Sequence, residues 1–414
     1  MADIIIIGGG IVGLSSAYYL SKQGHKITVI DKGDIIDNCS FGNAGMIVPS
    51  HFVPLAAPGM IQQGIRWMFD SKSPFYVKPS LGGGLPSWGL KFLRNSTKKH
   101  VAESAVPLRD LSLLSKKLFE DLSKEPGFDF ELTENGILAF YKTEKAAEEE
   151  AHLAKRAVEL GLDMAVLSAD ECKALQPKLN LSVLGAVHYR CDAHVYPVKL
   201  MQALLNYLEK NNVVIARNHE VTRIETRSNK ITTLFTGDVE WKADEYILAA
   251  GSWSPAVAKM LNLNLSIMPG KGYSFMEDEP EQRMTIPGLL CEARVAITPM
   301  NGQIRYGGTM EIAKINSQVN MNRVKGIVES VPNYFPDLKP ALPELKDIWY
   351  GFRPSSPDGL PYIGRDHKLT NFTVATGHGM MGLSLGPATG LLVSQILNGQ
   401  QTEVDMQAFS PNRS

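Results

Sequence analysis

The chain is 414 residues long, room for two or three domains of roughly 100–200 residues each, which excludes a peptide-sized scaffold. Apolar residues make up 44% and charged residues 21%, the balance of a globular protein and not of a disordered or fibrous one. Lys plus Arg total 42 against 43 for Asp plus Glu; a net charge of −1 supplies no basic field for a nucleic-acid backbone, and no basic block supplies a local one.

In chain order, Asp3 to Ile7 reads as a buried parallel strand, and Gly8, Gly10 and Gly13 then form G-x-G-x-x-G where a helical pattern begins. The first glycine permits the tight turn, the second lets the backbone approach a diphosphate, and the third lets helix pack on strand while the helix N-terminus faces the anionic oxygens. The helix carries Ala17 and ends at Gly24, and a second strand, Ile27 to Ile30, ends in Asp31, whose carboxylate suits ribose hydroxyls and repels a 2′-phosphate. A glycine-rich turn without ligand is the alternative, and the fingerprint alone leaves NAD and FAD open. The opening run MADIIIIGGGIVGLSSAYYL is about as apolar as a membrane span, yet it lacks a basic leader and is crowded with glycine, so it is expected to be neither signal nor anchor.

Gly42 to Pro86 is rich in Gly and Pro and leaves the doubly wound pattern, an excursion into a second domain. Lys145 to Leu160 is a predicted helix stopped by Gly161, with Glu148, Glu149 and Glu150 on a solvated face. Pro197 opens a helix to about Lys210; Val213 to Ala216 is a strand; Val221 to Glu225 and Lys230 to Phe235 form a meander; Tyr246 to Ala250 is an apolar strand before Gly251. From Ile267 to Pro336 short strands such as Gln303 to Gly307 alternate with turns, the pattern of antiparallel sheet. The end returns to α/β grammar: a strand at Phe372 to Ala375, a loop from Gly377 to Gly382 and a helix to about Leu397. Two interleaved domains are expected, with nucleotide-binding segments at both ends and in the middle.

Three motifs compete for attention. Gly377, Gly379 and Gly382 repeat G-x-G-x-x-G, but the remaining chain barely accommodates a second strand ending in an acid, so a second dinucleotide unit is not expected; that helix end can instead face a flavin ring and stabilise its reduced, anionic form. Gly382, Ser384 and Gly386 match the G-x-S-x-G elbow of hydrolases, yet no histidine follows the serine, as that fold requires of its base. His188, Cys191, Asp192 and His194 resemble a metal cluster without a second ligand group at recognisable spacing, so a structural or substrate-side role is read for Asp192 and His194 and no metal is expected. The four cysteines, Cys39, Cys172, Cys191 and Cys291, stand too far apart for CxxC, which predicts a reducing compartment and excludes the dithiol flavoenzymes.

Taken together, the glycine fingerprint with Asp31, CSFGNAGMI at 39 to 47, AAPGMIQQGIRWMF at 56 to 69, DAHVYP at 192 to 197, YILAAGSWS at 246 to 254, PGKGYS at 269 to 274, RYGGTME at 305 to 311, GFRPSSPDGLPYIG at 351 to 364 and TGHGMMGLSLGPATG at 376 to 390 run nearly end to end. In that order they resemble the FAD-dependent D-amino-acid oxidase superfamily, and within it the bacterial D-amino-acid dehydrogenases. The DAHVYP segment resembles the hydroxyproline-oxidising branch, which leaves the preferred amino acid open between a D-amino acid, D-proline or cis-4-hydroxy-D-proline, and another amine such as glycine or sarcosine.

The resemblance implies FAD, bound by a glutathione-reductase-like Rossmann domain (1–48, 186–260 and 340–414) in an α/β, two-domain chain whose mixed, largely antiparallel substrate domain comprises 49–185 and 261–339. Cofactor contacts are implied at Gly8, Gly10, Ile11, Val12 and Gly13; at Asp31 and Lys32; at Asn43, Ala44, Gly45 and Met46; at Val221; and at Ala250, Gly251 and Trp253. The last loop adds Gly377, Gly379, Met380, Met381, Gly382 and Leu383. Arg353 of GFRP is the implied ligand of the substrate carboxylate, and independently a guanidinium fork matches a carboxylate. His378 is a candidate flavin partner or else satisfied by loop backbone, Tyr273 a candidate pocket wall or substrate partner or else core, Lys271 an influence on oxygen reactivity or the partner of an acid, and His51 a group on the substrate side or else a surface histidine. A quinone or other respiratory acceptor is implied, and Met60 to Phe69 is a candidate membrane-surface stretch, placing the protein in the cytoplasm or at the inner face of the membrane.

Overall fold

A computed structural model describes residues 1–59, 75–77 and 84–413. The strand Asp3–Ile7 lies inside a six-stranded sheet in the order Tyr362–Arg365, Phe372–Thr376, Glu245–Leu248, Asp3–Ile7, Lys26–Ile30, Val214–Ala216. All neighbours are parallel except Tyr362–Arg365. Its unbroken isoleucines have a physical cause: Ile4 and Ile6 enter one core with helices Ile11–Lys22, Lys98–Leu122, Pro197–Lys210 and Gly386–Leu397, while Ile5 and Ile7 enter another with the meander Arg223–Arg227, Lys230–Thr236 and Val239–Trp241. The first and last helices touch along their backbones, since a Cβ on Gly390 would stand 2.5 Å from Ser15.

A nine-stranded sheet forms the second body, in the order Trp349–Ser355, Met268–Asp278, Gln303–Ile312, Val295–Met300, Gly288–Leu290, Ile137–Tyr141, Gly185–Tyr189, Met164–Ser168, with Phe75–Val77 beside Gln303–Ile312. Helix Met321–Tyr334 covers its outer face through Val324, Ile327 and Val331. The inner face turns toward the parallel sheet: Ser274 on it donates to the Gly42 carbonyl at 2.9 Å, and Trp349 fills the space a Cβ on Gly42 would need.

The expected segment boundaries are corrected in three places. Helix Lys98–Leu122, assigned to the substrate domain, packs Leu108, Leu111, Leu114, Phe119 and Leu122 into the nucleotide-side core, because that is its apolar face. Strands Gly185–Tyr189 and Trp349–Ser355, assigned to the nucleotide domain, hydrogen-bond into the nine-stranded sheet. Among the described residues no helix is long and apolar enough to cross a membrane, and Met60 to Phe69 lies outside them.

Candidate active site

The glycine fingerprint is built as its spacing predicts. Gly8 turns at φ +112°, where a Cβ would meet the Ala249 carbonyl oxygen at 2.5 Å; a Cβ on Gly13 would sit 1.9 Å from the Gly8 oxygen. Protein backbone thus demands glycine at both. Gly10 differs: the nearest described atom to its missing Cβ is Ser40 Oγ, 3.7 Å away, so the position opens onto space. Gly10 caps helix Ile11–Lys22 without a side-chain bond, and Ile11 N–H donates to Ser40 Oγ at 3.1 Å, leaving the uncapped helix end toward that space. Asp31 stands beside it, accepting from Gly9 N–H at 2.6 Å and Gly33 N–H at 2.8 Å. Lys32 lies over the Trp253 ring at 4.0 Å, and Val221 packs into the core near Ile30.

Three further segments meet at one strand, Trp349–Ser355. Trp253 stacks edge-on against Phe352 at 5.7 Å and Ser252 donates to the Phe352 carbonyl at 3.2 Å, just past Ala250 and Gly251. Cys39 Sγ accepts from Phe352 N–H at 3.3 Å, opening the loop through Asn43, Ala44 and Gly45. Asn43 Oδ1 accepts from Gly45 N–H at 2.9 Å, and Gly45, at φ +76°, passes so close to Val195 that a Cβ would stand 2.2 Å from its oxygen. His378 pairs by backbone with Ser355, which brings in the loop of Gly377, Gly379, Met380, Met381 and Gly382. Ala44, Met46 and Met381 share one small apolar cluster.

On this strand Arg353 stands where the two sheets meet. Paired residues of adjacent strands share a face, so Gly270 with Arg353, Gly272 with Gly351, and Ser274 with Trp349 and Gly307 all look inward. The Arg353 guanidinium occupies the room Gly272 leaves, 2.4–2.5 Å from where a Cβ would be, and Nη1 donates to the Thr309 carbonyl at 2.5 Å. Burial pushes its pKa down to about 10, so it stays charged at neutral pH, and no acidic side chain among the described residues pairs with it. Unassigned by the sequence reading, Arg305 is a second such cation: it is 5% exposed, lowered to about 10 by burial, bonds Ser274 Oγ at 3.3 Å and leaves Nε without a partner among the described residues. Thr298 Oγ1 and Trp349 Nε1 on the same face are also buried without partners among them. RYGGT was visible as a strand; which of its faces looked inward was not.

Some expected residues point elsewhere. Tyr273 is no pocket wall: it is 1% exposed beneath helix Met321–Tyr334, its hydroxyl accepting from Asn320 N–H at 3.2 Å, because strand alternation puts it on the face opposite Gly272 and Ser274. Lys271 is likewise withdrawn, donating to Asn316 O at 2.8 Å and Gln318 O at 2.5 Å. Thr389 gives its proton to Leu385 O, so its oxygen accepts from His378 Nε2–H at 2.9 Å; burial pushes that imidazole down to about 3 and keeps it neutral, a brace on the last helix. That helix begins at Gly386, a short 3-10 turn (Gly379–Met381) standing between, so Gly377 to Gly382 precede its first turn instead of forming it. Met380 is exposed, Leu383 is core, and Ser384 Oγ is buried and accepts from Val48 N–H. His188 bonds Asn135 O while Asp192 bonds Ser50; among the described residues no group of three His, Cys, Asp or Glu side chains is placed to hold a metal. His51 is half-buried, with burial and the neighbouring Arg294 lowering it to about 4.

The open ground over Gly10, the uncapped helix end, Asp31 and the buried unpartnered polar atoms of the inner face together fit an extended dinucleotide laid from one sheet to the other. Residues 3–396 match the FAD dependent oxidoreductase family, and the chain belongs to it; FAD is its cofactor. It is 30% identical over 413 residues to a D-amino acid dehydrogenase of Helicobacter pylori, covering 99% of this chain and 98% of that one. A D-amino acid dehydrogenase of Vibrio vulnificus is 30% identical over 411 residues, covering 96% of each. The fold is shared with glycine oxidase of Geobacillus kaustophilus (TM-score 0.78, 24% identity, 100% and 99% of the two chains) and L-proline dehydrogenase of P. horikoshii (TM-score 0.76, 19% identity, 100% and 97%).

Proposed function

We propose that the protein oxidises a D-amino acid at its Cα–N bond and passes the electrons to a quinone or other respiratory carrier. The observation that carries this reading is Arg353, a charged guanidinium lacking an acidic partner among the described residues, seated where the nucleotide loops reach the substrate sheet. A buried cation left unpaired is costly, and a substrate carboxylate offsets that cost while the planar fork fixes its orientation. Curated relatives named D-amino acid dehydrogenase support the choice of donor and of an acceptor other than oxygen.

When bound, FAD supplies the ring that accepts hydride from Cα. The protein's part is geometric and electrostatic. Arg353 holds the carboxylate so that one Cα face is presented. Gly272 leaves the room in which the Arg353 guanidinium is seated, and Gly351 that of the Trp349 ring. Backbone N–H groups of the loop Gly377 to Gly382 would supply positive dipole to the reduced cofactor, since the first donors of the following helix are taken, Gly386 N–H by Leu383 O and Ala388 N–H by Ser115 Oγ.

The test is anaerobic mixing of the yellow protein with a panel of D-amino acids, D-proline and cis-4-hydroxy-D-proline included, with glycine, sarcosine and L-isomers beside them. Bleaching by D-isomers, followed by reoxidation with a soluble quinone faster than with air, is expected. A flavin that no D-amino acid bleaches refutes the donor; equal reoxidation by air refutes the acceptor.

A further inference from the structure

The HYRCDAH segment found no use in the reading above, yet its aspartate is wired to a candidate site residue. Asp192 is fully buried. It receives three donors: Ser50 N–H at 3.0 Å and the Cys191 thiol at 3.4 Å on Oδ1, and the Ser50 hydroxyl at 2.6 Å on Oδ2. In its carboxylate form Asp192 accepts all three. Ser50 has one hydroxyl proton. When the Asp192 carboxylate takes it, the contact of 3.2 Å between Ser50 Oγ and His51 Nδ1 is one in which Nδ1–H donates. The imidazole then carries its lone pair on Nε2, which makes no hydrogen bond to a described residue.

We propose that Asp192 and Ser50 are positioning residues for His51, and that His51 Nε2 is the base that removes a proton from the substrate ammonium before Cα is oxidised. The proposal rests on the amino-acid reading of the same site. Its location follows from the chain around it. Arg294, whose charge His51 feels, lies in the turn between strands Gly288–Leu290 and Val295–Met300; its carbonyl is 3.3 Å from the Cβ position of Gly308, and the next residue, Thr309, holds Arg353. The turn that carries Arg294 thus adjoins the stretch of strand that holds Arg353.

The chemistry balances. The Nε2 lone pair takes a proton from the ammonium, the N–H pair staying on nitrogen, and an imidazolium forms. Its Nδ1–H already points through Ser50 to the Asp192 carboxylate, which stabilises the new charge. The freed nitrogen pair forms the C=N bond as hydride leaves Cα for FAD, and the imidazolium later returns its proton to water.

A pH switch is built into the same atoms. Burial raises Asp192 to about 7, against the Ser50 and Cys191 donors that lower it. The charged or titratable groups facing the chain are Lys116 from helix Lys98–Leu122, Tyr189 from strand Gly185–Tyr189, Cys191, and Arg294 beside His51. Once protonated, Asp192 must donate to Ser50 Oγ; the serine proton then turns to Nδ1, the ring proton moves to Nε2, and the base is lost.

The experiment uses flavin-loaded enzyme in two readouts. In anaerobic stopped flow with a D-amino acid that bleaches it, His51→Gln should slow bleaching by roughly 10²–10⁴-fold. Ser50→Ala should slow it by about tenfold and, like Asp192→Asn, remove the acid limb near pH 7. In ¹⁵N NMR of histidine-labelled protein, His51 should be the Nδ1–H tautomer above that pH and lose this preference in Ser50→Ala. Unchanged rates and pH profiles in His51→Gln and Ser50→Ala, or an Nε2–H ring in the alkaline protein, overturn the proposal. Should no amino acid bleach the wild type, the functional reading fails by itself, and the NMR arm still decides the hydrogen-bond chain.

Discussion

The two sheets make their halves of the site by opposite means. In the parallel sheet the glycines are needed by backbone: Gly8 and Gly13 leave no room even for a methyl against Ala249 and against each other. On the inner face of the nine-stranded sheet the glycines make room for side chains, Gly272 for the Arg353 guanidinium from the neighbouring strand and Gly351 for the Trp349 ring of its own strand. One half is specified by where backbones touch, the other by which side chains arrive over an empty position.

The hardest way to break the first half is Gly13→Ala. A methyl 1.9 Å from a carbonyl oxygen cannot be relieved by a side-chain rotation, so the chain should lose about 3 kcal/mol or more and its flavin with it. Gly10→Ala sharpens the point, because nothing described crowds that position: the thermal midpoint of flavin-free protein should hardly move while FAD affinity drops at least roughly tenfold, about 1.4 kcal/mol. Equal loss of stability in both variants would show that Gly10 serves packing and not a ligand.

The second half is broken by Arg353→Ala, expected to raise KM for the amino acid at least roughly a hundredfold, in line with about 2–5 kcal/mol for removing one partner of a buried charged pair, while the protein stays yellow. Gly272→Ala tests the room itself. The new methyl would press on the guanidinium end of a flexible chain, so a milder rise of about tenfold with little change in melting is expected. A Gly272→Ala enzyme with unaltered KM would mean the guanidinium works from elsewhere.

This contrast also explains what the sequence disclosed. The fingerprint Gly8, Gly10, Gly13 and Asp31, the helices ending at Lys210 and Leu397 and the strand at Phe372 were legible because spacing, capping and periodicity are local. Strand Ile137–Tyr141 and helix Lys98–Leu122 were not read, the first because a short apolar run is ambiguous, the second because Pro107 interrupts its pattern. Arg353 was found through resemblance and its guanidinium fork. Arg305 was passed over because only strand pairing reveals that it shares a face with Ser274 and Thr298, and Tyr273 was misplaced because only the same pairing shows that it lies on the opposite face. The Asp192–Ser50 link joins residues far apart in sequence and needed coordinates.

A smaller effect concerns the loop that follows Arg353. Burial by itself would raise the Asp358 carboxyl, but Arg413, bonded through Nε at 2.7 Å and Nη2 at 3.2 Å, holds it below the ordinary value. A depressed carboxyl contributes stability that is complete above its unfolded value, about 4, and fades as pH falls through the lower folded value. Arg413→Ala should therefore cost about 1–3 kcal/mol at neutral pH and much less in acid, since the partner's charge is then gone. A cost that stays constant into acid would assign the loss to the Tyr362 ring, over which Arg413 lies at 4.0 Å.

The smallest expected effect has the opposite sign. Among the described residues Arg305 is a buried cation with a single neutral partner, Ser274, and an orphaned Nε, so in the absence of a ligand its desolvation is poorly offset. Arg305→Met retains the aliphatic bulk and removes the charge; flavin-free protein should become about 1 kcal/mol more stable. If something bound across the inner face pairs with this guanidinium, the same substitution should lower the extra stability that flavin or substrate confers, so that the two melting shifts have opposite signs. A loss in both states would instead make Arg305 a structural tie between the sheets, anchored through Ser274 to Gly42, and would leave Arg353 as the cation of this face whose charge serves a ligand.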